Sequence, residues 1–336
     1  MPKDFRDTFN ADLLQKFAAL AGLLGLILVF SLISKNFPTR ANMISITIQT
    51  TSIALAGIGV TFVIITGGID LSIGSVLALS GVAAGLLIKN AGWSVPSALV
   101  AGVLTGMFCG FLNGAMVNYL KLPPFIATLG MMQIVRGAGL LATDARSIPG
   151  LPEETFGWLG NGAMFRTYKI LDNGNQVVDF EGIPFSVTLM VILAIIFYYI
   201  LANTRLGRYI YSVGSNEEAT RLSGINVVAI KFAAYIICGF FAAIAGIITM
   251  SRLVTVQPTA GDAFEMDAIA SAVIGGTSLM GGVGTISGTI IGAFIIGVLR
   301  NGLNMLGVQG FVQKIIIGLV IIIAVSTDQL RNRKNT

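Results

Sequence analysis

The sequence predicts an all-α, polytopic membrane helix bundle of about ten transmembrane helices, and three observations carry that expectation. Of its 336 residues, 54% are hydrophobic and only 11% charged, where a soluble domain carries about 25% charged residues. Mean hydropathy is +0.84. Several apolar runs reach the roughly 20 residues that cross a hydrocarbon core. So few charges cannot cover a water-exposed surface, which excludes the soluble, fibrous and disordered classes. The chain has no histidine, so His bases, His-zinc sites and His-based triads are excluded too. Cys109 and Cys238 sit in apolar runs, are too few for a disulfide framework, and read as small core residues. The net charge of +5 suits anionic lipid headgroups rather than nucleic acid.

Taken in order, the apolar runs fall at about 17–34, 43–66, 72–88, 95–119, 125–143, 185–202, 230–251, 265–280, 284–303 and 312–327. The first is long for a signal h-region and no clear A-x-A site follows it before Lys35, so it reads as an uncleaved anchor. Lys and Arg near span ends set the orientation. With the N-terminus inside, the cytoplasmic segments hold Lys3, Arg6, Lys16, Lys121, Arg205, Arg208, Arg221 and Lys231. The C-terminal cluster Arg331, Arg333 and Lys334 then also falls inside, where an odd span count would put it outside. The expectation is one transmembrane domain over 1–336 with both termini cytoplasmic.

Two hydrophilic segments interrupt this pattern. The outer one covers 144–184, and within it β-prone runs flank Asp172-Asn-Gly-Asn175, a hairpin signal. The inner one covers 203–230 and contains Ser215-Asn-Glu217-Glu218, which fits a capping box: the Ser215 hydroxyl on the Glu218 amide, the Glu218 carboxylate on the Ser215 amide. Acids in a first turn also complement the helix dipole. Ala219, Thr220, Arg221 and Leu222 continue the helix and Gly224 ends it. A helix this short is marginal alone. It is either an interfacial linker lying on headgroups or a docking knob for a cytoplasmic partner.

Glycines recur every four residues at Gly102, Gly106, Gly110 and Gly114, and again at Gly284, Gly288 and Gly292. Such rows predict close helix packing within the bundle. Gly67-Gly-Ile-Asp70-Leu-Ser72-Ile-Gly74 and Gly275-Gly-Thr-Ser-Leu-Met-Gly281-Gly282-Val-Gly284 interrupt apolar sequence and share a Gly-Gly-x5-Gly spacing. Non-helical backbone at membrane depth must be buried or line a cavity, and paired breaks in two halves mark transport pathways. The competing reading is a tight loop at the cytoplasmic surface. Intramembrane polar residues are functional pointers, here Asp70, Asn113, Arg136, Arg300, Asn301 and Asn304. For Arg136, Arg300 and Lys314 the alternative is snorkelling from near span ends, and Asp262, Glu265 and Asp267 read as the lining of an outer mouth.

No lysine is followed by Ser or Thr, so no Walker A motif can be written, and Gly-x-Ser-x-Gly, Cys-x-x-Cys and His-Glu-x-x-His are absent. If the chain pumps, the energy comes from a partner.

The segment Thr204-Arg-Leu-Gly-Arg-Tyr-Ile-Tyr-Ser-Val-Gly-Ser-Asn-Glu-Glu-Ala-Thr-Arg-Leu-Ser-Gly-Ile-Asn-Val227 resembles the cytoplasmic loop of ribose-type ABC sugar importer permeases. Glu218-Ala219-Thr220-x3-Gly224 is similar to the short motif such permeases present to their ATPase. Gly68–Ser75, Gln257–Gly261 with Glu265–Ala270, Gly275–Ser278 with Gly281-Gly282, and Asn301-Gly-Leu-Asn304 match in order. The resemblance covers about 40–330, and the insert at 160–183 lies outside it.

The resemblance implies a non-enzymatic transport subunit in the cytoplasmic (inner) membrane of a prokaryote, without cofactor or metal of its own. It works as a homodimer, with ATP-binding cassette subunits below and a periplasmic or surface sugar-binding protein above. Ser215, Glu217, Glu218, Ala219, Arg221 and Gly224 become ATPase-coupling residues. Asp70, Ser72, Asn113, Asn301 and Asn304 are expected along the translocation pathway. Arg252, Asp262 and Glu265 are expected to face the binding protein. Ribose is the first guess for the sugar. The alternative class is a secondary carrier or facilitator for a small polar solute, with no dedicated cytoplasmic knob.

Overall fold

A computed structural model describes residues 5–170 and 176–333. Thirteen α-helices follow in chain order among them: α1 (Phe5–Ile33), α2 (Arg40–Ile65), α3 (Ile73–Lys89), α4 (Val95–Asn118), α5 (Pro124–Ala142), α6 (Trp158–Asn161), α7 (Phe185–Asn203), α8 (Arg205–Ser215), α9 (Glu217–Leu222), α10 (Val227–Leu253), α11 (Phe264–Ile274), α12 (Ile286–Met305) and α13 (Gly310–Arg333). Prolines stand in the first turns of α4 and α5, where a missing N–H costs nothing. Thr39 caps α2 by accepting from the Asn42 amide.

Helix α2 is the axis of the bundle. Every residue from Thr50 to Ile65 is buried, and α7, α10, α11 and α12 pack around it. Hydroxyls bridge these helices where no water competes: Thr61 with Thr289 at 2.7 Å, and Thr249 to Ser52 at 3.0 Å. The glycine rows are spent on close packing inside the chain. Gly106 lies against the Gly239 carbonyl, Gly110 against that of Tyr235 and Gly102 against that of Ser80, with no room for a Cβ. Gly288 and Gly292 bring α12 onto the Gly275 and Ser271 carbonyls in the same way. Outward, Leu104, Phe108 and Phe111 on α4 and Ile192, Ile195 and Tyr199 on α7 are exposed, a surface that only lipid or another apolar face can cover.

Among the described residues six helices, α2, α4, α5, α7, α10 and α12, are long and apolar enough to cross a membrane. The expected run at 265–280 needs correction. Helix α11 stops at Ile274 after 11 residues, about 16 Å at the α-helical rise and short of a bilayer core. Gly276, Gly281 and Gly282 then take φ of +97°, +86° and +73°, which continues the chain as irregular backbone to α12.

Contacts between connectors gather at the two ends of the bundle. At one end, Lys89 reaches the Pro149 carbonyl, Ile148–Pro149 (β1) pairs with Thr255–Val256 (β6), and Asn42 bonds Asn301. At the other, Thr128 bonds Ile69, Gly282 bonds Ile65, and Tyr211 bonds Gly284. In the 144–184 segment, Ala163–Met164 (β2) pairs with Ile183–Pro184 (β5). Thr167–Ile170 (β3) pairs antiparallel with Gln176–Phe180 (β4). The two strands of the expected hairpin are therefore present, and its turn at 172–175 lies outside the described residues.

Candidate functional site

The connector over 203–230 is the most elaborated part of the described chain. The sequence places one helix here and the structure has two. Helix α8 buries Gly207, Ile210 and Val213 at three-residue spacing, then stays helical through Ser215. That overturns the expected cap. An N-cap residue needs extended backbone, and Asn216 has it, with φ −158° and ψ 101°. The Asn216 Oδ1 accepts from the Ala219 amide at 2.9 Å, and the Thr220 hydroxyl donates to the Asn216 carbonyl at 2.7 Å. Ser215 and Glu218 make no capping box. The other end is as expected. Gly224 has φ +80°, its amide bonds the Arg221 carbonyl at 3.0 Å, and the Ile225 amide bonds the Thr220 carbonyl at 3.3 Å. Together these form a complete Schellman motif.

Glu217 anchors α9 sideways. Its Oε1 accepts from Arg221 Nη2 at 2.9 Å and its Oε2 from Lys231 Nζ, on α10, at 2.6 Å. Thr220 is the buried residue of α9. Glu218, Ala219, Arg221 and Leu222 are exposed, Leu222 to 83%.

Both glycine breaks converge on this connector. Gly214 sits against the Ile65 carbonyl and the Gly282 amide. The Gly282 amide bonds the Ile65 carbonyl at 2.9 Å, and the Tyr211 hydroxyl bonds the Gly284 carbonyl at 2.7 Å. A cavity of about 360 Å³ opens between the first break and α9, with Gly67, Asn216, Glu217, Lys231 and Tyr235 on its wall.

The expected pathway residues do not meet. Asp70, Ser72 and Asn113 form one buried group just above the connector. Asp70 Oδ1 accepts from the Ser72 amide at 2.8 Å and hydroxyl at 2.7 Å, and Asn113 Nδ2 donates to the Ser72 hydroxyl at 2.8 Å. The group pins the α2–α3 break to α4. Asn301 pairs reciprocally with Asn42 at 3.1 Å, and Asn304 accepts from Gln313 at 2.7 Å. Asn42 lies in the first turn of α2 and Asp70 beyond its end, so the two groups stand toward opposite ends of a 26-residue helix about 39 Å long.

Arg136 and Arg300 are not snorkelling. Arg300 forms an ion pair of 2.7 Å with buried Asp267, and Arg136 Nη1 donates to the Pro258 and Ala260 carbonyls at 2.8 and 2.9 Å. Sequence reasoning missed both partners, which lie over 30 and over 120 positions away. Asp262 is exposed and Glu265 half-buried beside Arg136. Arg252 lies apart from them, packed against Gly160, with its carbonyl accepting from Asn161 at 3.0 Å.

A family model described as branched-chain amino acid transport system / permease component matches residues 42–325. The chain is 43% identical over 329 residues to ribose import permease protein RbsC of Escherichia coli (strain K12), covering 96% of both chains. It is 40% identical to ribose import permease protein RbsC of Bacillus subtilis (strain 168), covering 95% of this chain and 94% of the relative. Against D-allose transport system permease protein AlsC of Escherichia coli (strain K12) it is 39% identical, covering 89% and 87%. No solved structure matches.

Proposed function

The chain belongs to the branched-chain amino acid transport system / permease component family, and from that premise we propose that it is the membrane permease subunit of an ABC importer for a monosaccharide of the ribose class. The observation that carries the reading is α9. It is a six-residue helix stopped by a Schellman motif and capped by Asn216, yet its Glu218, Ala219 and Leu222 are exposed, and Arg221, also exposed, pairs only with Glu217 of the same helix among the described residues. A helix too short to persist alone, with an unpartnered face, is a coupling element for a separate ATP-binding cassette subunit. The chain has no Walker A motif of its own. High identity to two ribose permeases and an allose permease supports the solute class.

In this reading two copies form the pore, ten segments traverse the membrane, and both termini lie in the cytoplasm. ATP-driven closure of the cassettes moves α9, and the contacts of Gly214 and Gly282 with the end of α2 pass that movement to both glycine breaks. Asp70, Ser72 and Asn113 hold the first break beside the path, and Asn301 and Asn304 stand at its outer end. A sugar-binding protein docks above, on the rim that carries Arg252, Asp262 and Glu265. The test is reconstitution with the cassette subunit and binding protein in proteoliposomes. ATP-dependent ribose uptake that requires both partners is expected. Uptake by the permease alone, driven by an ion gradient, replaces this reading with a secondary carrier.

A further inference from the structure

Between the first turn of α3, the middle of α5, the 257–263 segment and the start of α11 lies a cleft of about 290 Å³, with Glu265 against Gly74 of α3. Its polar wall is Ser75, Gln133, Arg136, Thr259, Asp262 and Glu265, and the buried Ser75 hydroxyl has no partner among the described residues. Arg136 is held from one side only. Its Nη1 donates to the Pro258 and Ala260 carbonyls, and Nε and Nη2 make no hydrogen bond among the described residues. The side chains of Gln133 and Glu265 likewise bond no other residue among the described ones. An immobilised guanidinium, a carboxylate and an amide are thus gathered in one recess with donor and acceptor capacity unspent.

The charges narrow the ligand. Two carboxylates and one guanidinium repel anions. A cation would find Arg136 rigidly in place. A neutral polyhydroxyl solute suits the set, because vicinal hydroxyls donate to the carboxylate and accept from the guanidinium at once. No aromatic ring lines the cleft to stack on a sugar face, so binding is weak. Weak binding is what a transit site requires, since a solute held tightly is not passed on.

We propose that this cleft is a transit site for the monosaccharide within the bundle, with Arg136 and Gln133 as residues that recognise its hydroxyls. The inference rests on the importer reading above and extends it to named groups for the solute. Arg136→Lys removes the fork of donors but keeps the charge. Gln133→Ala removes an exposed, unbonded amide and leaves folding intact.

The measurement is sugar delivered per ATP hydrolysed by the full reconstituted complex, with labelled ribose, xylose and allose as separate probes. Arg136→Lys lowers that ratio about tenfold, the scale of a lost hydrogen bond to a charged group. Gln133→Ala shifts the preference among the three sugars. Wild-type ratios and an unchanged preference in both variants overturn the proposal, and if Arg136→Lys fails to assemble, Gln133→Ala alone decides. Absence of binding-protein-stimulated ATPase in the wild-type complex instead defeats the importer reading itself.

Discussion

Glu217 on α9 and Lys231 on α10 form an ion pair of 2.6 Å, and it is the charged link between the exposed short helix and the core of the bundle. Lys231 is the more sheltered partner, its side chain 19% exposed against 41% for Glu217. Helix α10 packs on α2, α3 and α4, so a displacement of α9 pulls on a helix that reaches most of the core.

Lys231→Met is expected to leave the complex folded and to loosen coupling. A partly exposed ion pair contributes about 1 kcal/mol or less, so the melting temperature moves little. Uptake per ATP falls, and Glu217→Lys with Lys231→Glu restores it. The check is uptake against ATPase rate in the two single variants and the exchanged pair. Equal ratios in all of them mean that the pair is structural only.

Asn216→Ala should cost more than Ser215→Ala, the reverse of what the sequence alone suggests. Loss of an N-cap costs about 1 kcal/mol, whereas Ser215 makes no cap. Protease protection of the 216–224 segment with the cassette subunit bound reports the difference. A greater loss for Ser215→Ala contradicts the cap geometry.

Gly224→Val is expected to uncouple transport. The position has φ +80° with open space around it. The penalty is therefore backbone strain, about 1–3 kcal/mol, rather than a clash. Gly224→Asn, which tolerates this region, should keep much of the wild-type activity. Stimulated ATPase and uptake measured together decide it, and wild-type values for the valine variant make the loop a linker.

Asp70→Asn and Asp70→Ala should separate. Asparagine keeps an acceptor for the Ser72 amide and hydroxyl, so the protein assembles while transport slows. Alanine leaves the buried amide of Ser72 unpaired, at about 1–3 kcal/mol, and lowers the yield of folded protein. Purified subunit ratios and uptake rates distinguish the two. Unimpaired uptake by Asp70→Asn removes Asp70 from the pathway.

Asp262→Lys is expected to weaken binding-protein docking more at low salt than at high. Asp262 is exposed, and rim charges act mainly on association rate through screened fields. Docking rates across a salt series give the answer, and a loss independent of ionic strength means a steric cause.

The sequence by itself determined the class of this protein and the local punctuation of its chain. Too few charges for a soluble surface and apolar runs of membrane length made a helix bundle unavoidable. Gly224 foretold the end of α9, and the glycine rows foretold close packing, because a missing Cβ matters the same way wherever the neighbour comes from. The tertiary structure alone decided the rest. Ser215 lost the cap to Asn216 because α8 packs Gly214 against Ile65 and Gly282 and so stays helical to its last residue. Helix α11 stopped at Ile274, although its apolar run continues. Arg136 and Arg300 look like snorkelling residues until folding brings them the Pro258 and Ala260 carbonyls and Asp267. The five expected pathway residues likewise parted into two groups at opposite ends of α2. Caps and periodicity are contacts within a turn or two, so they can be read along the chain. A buried polar group is satisfied by whatever residue the fold delivers, often more than a hundred positions away, and nothing in its neighbours announces which.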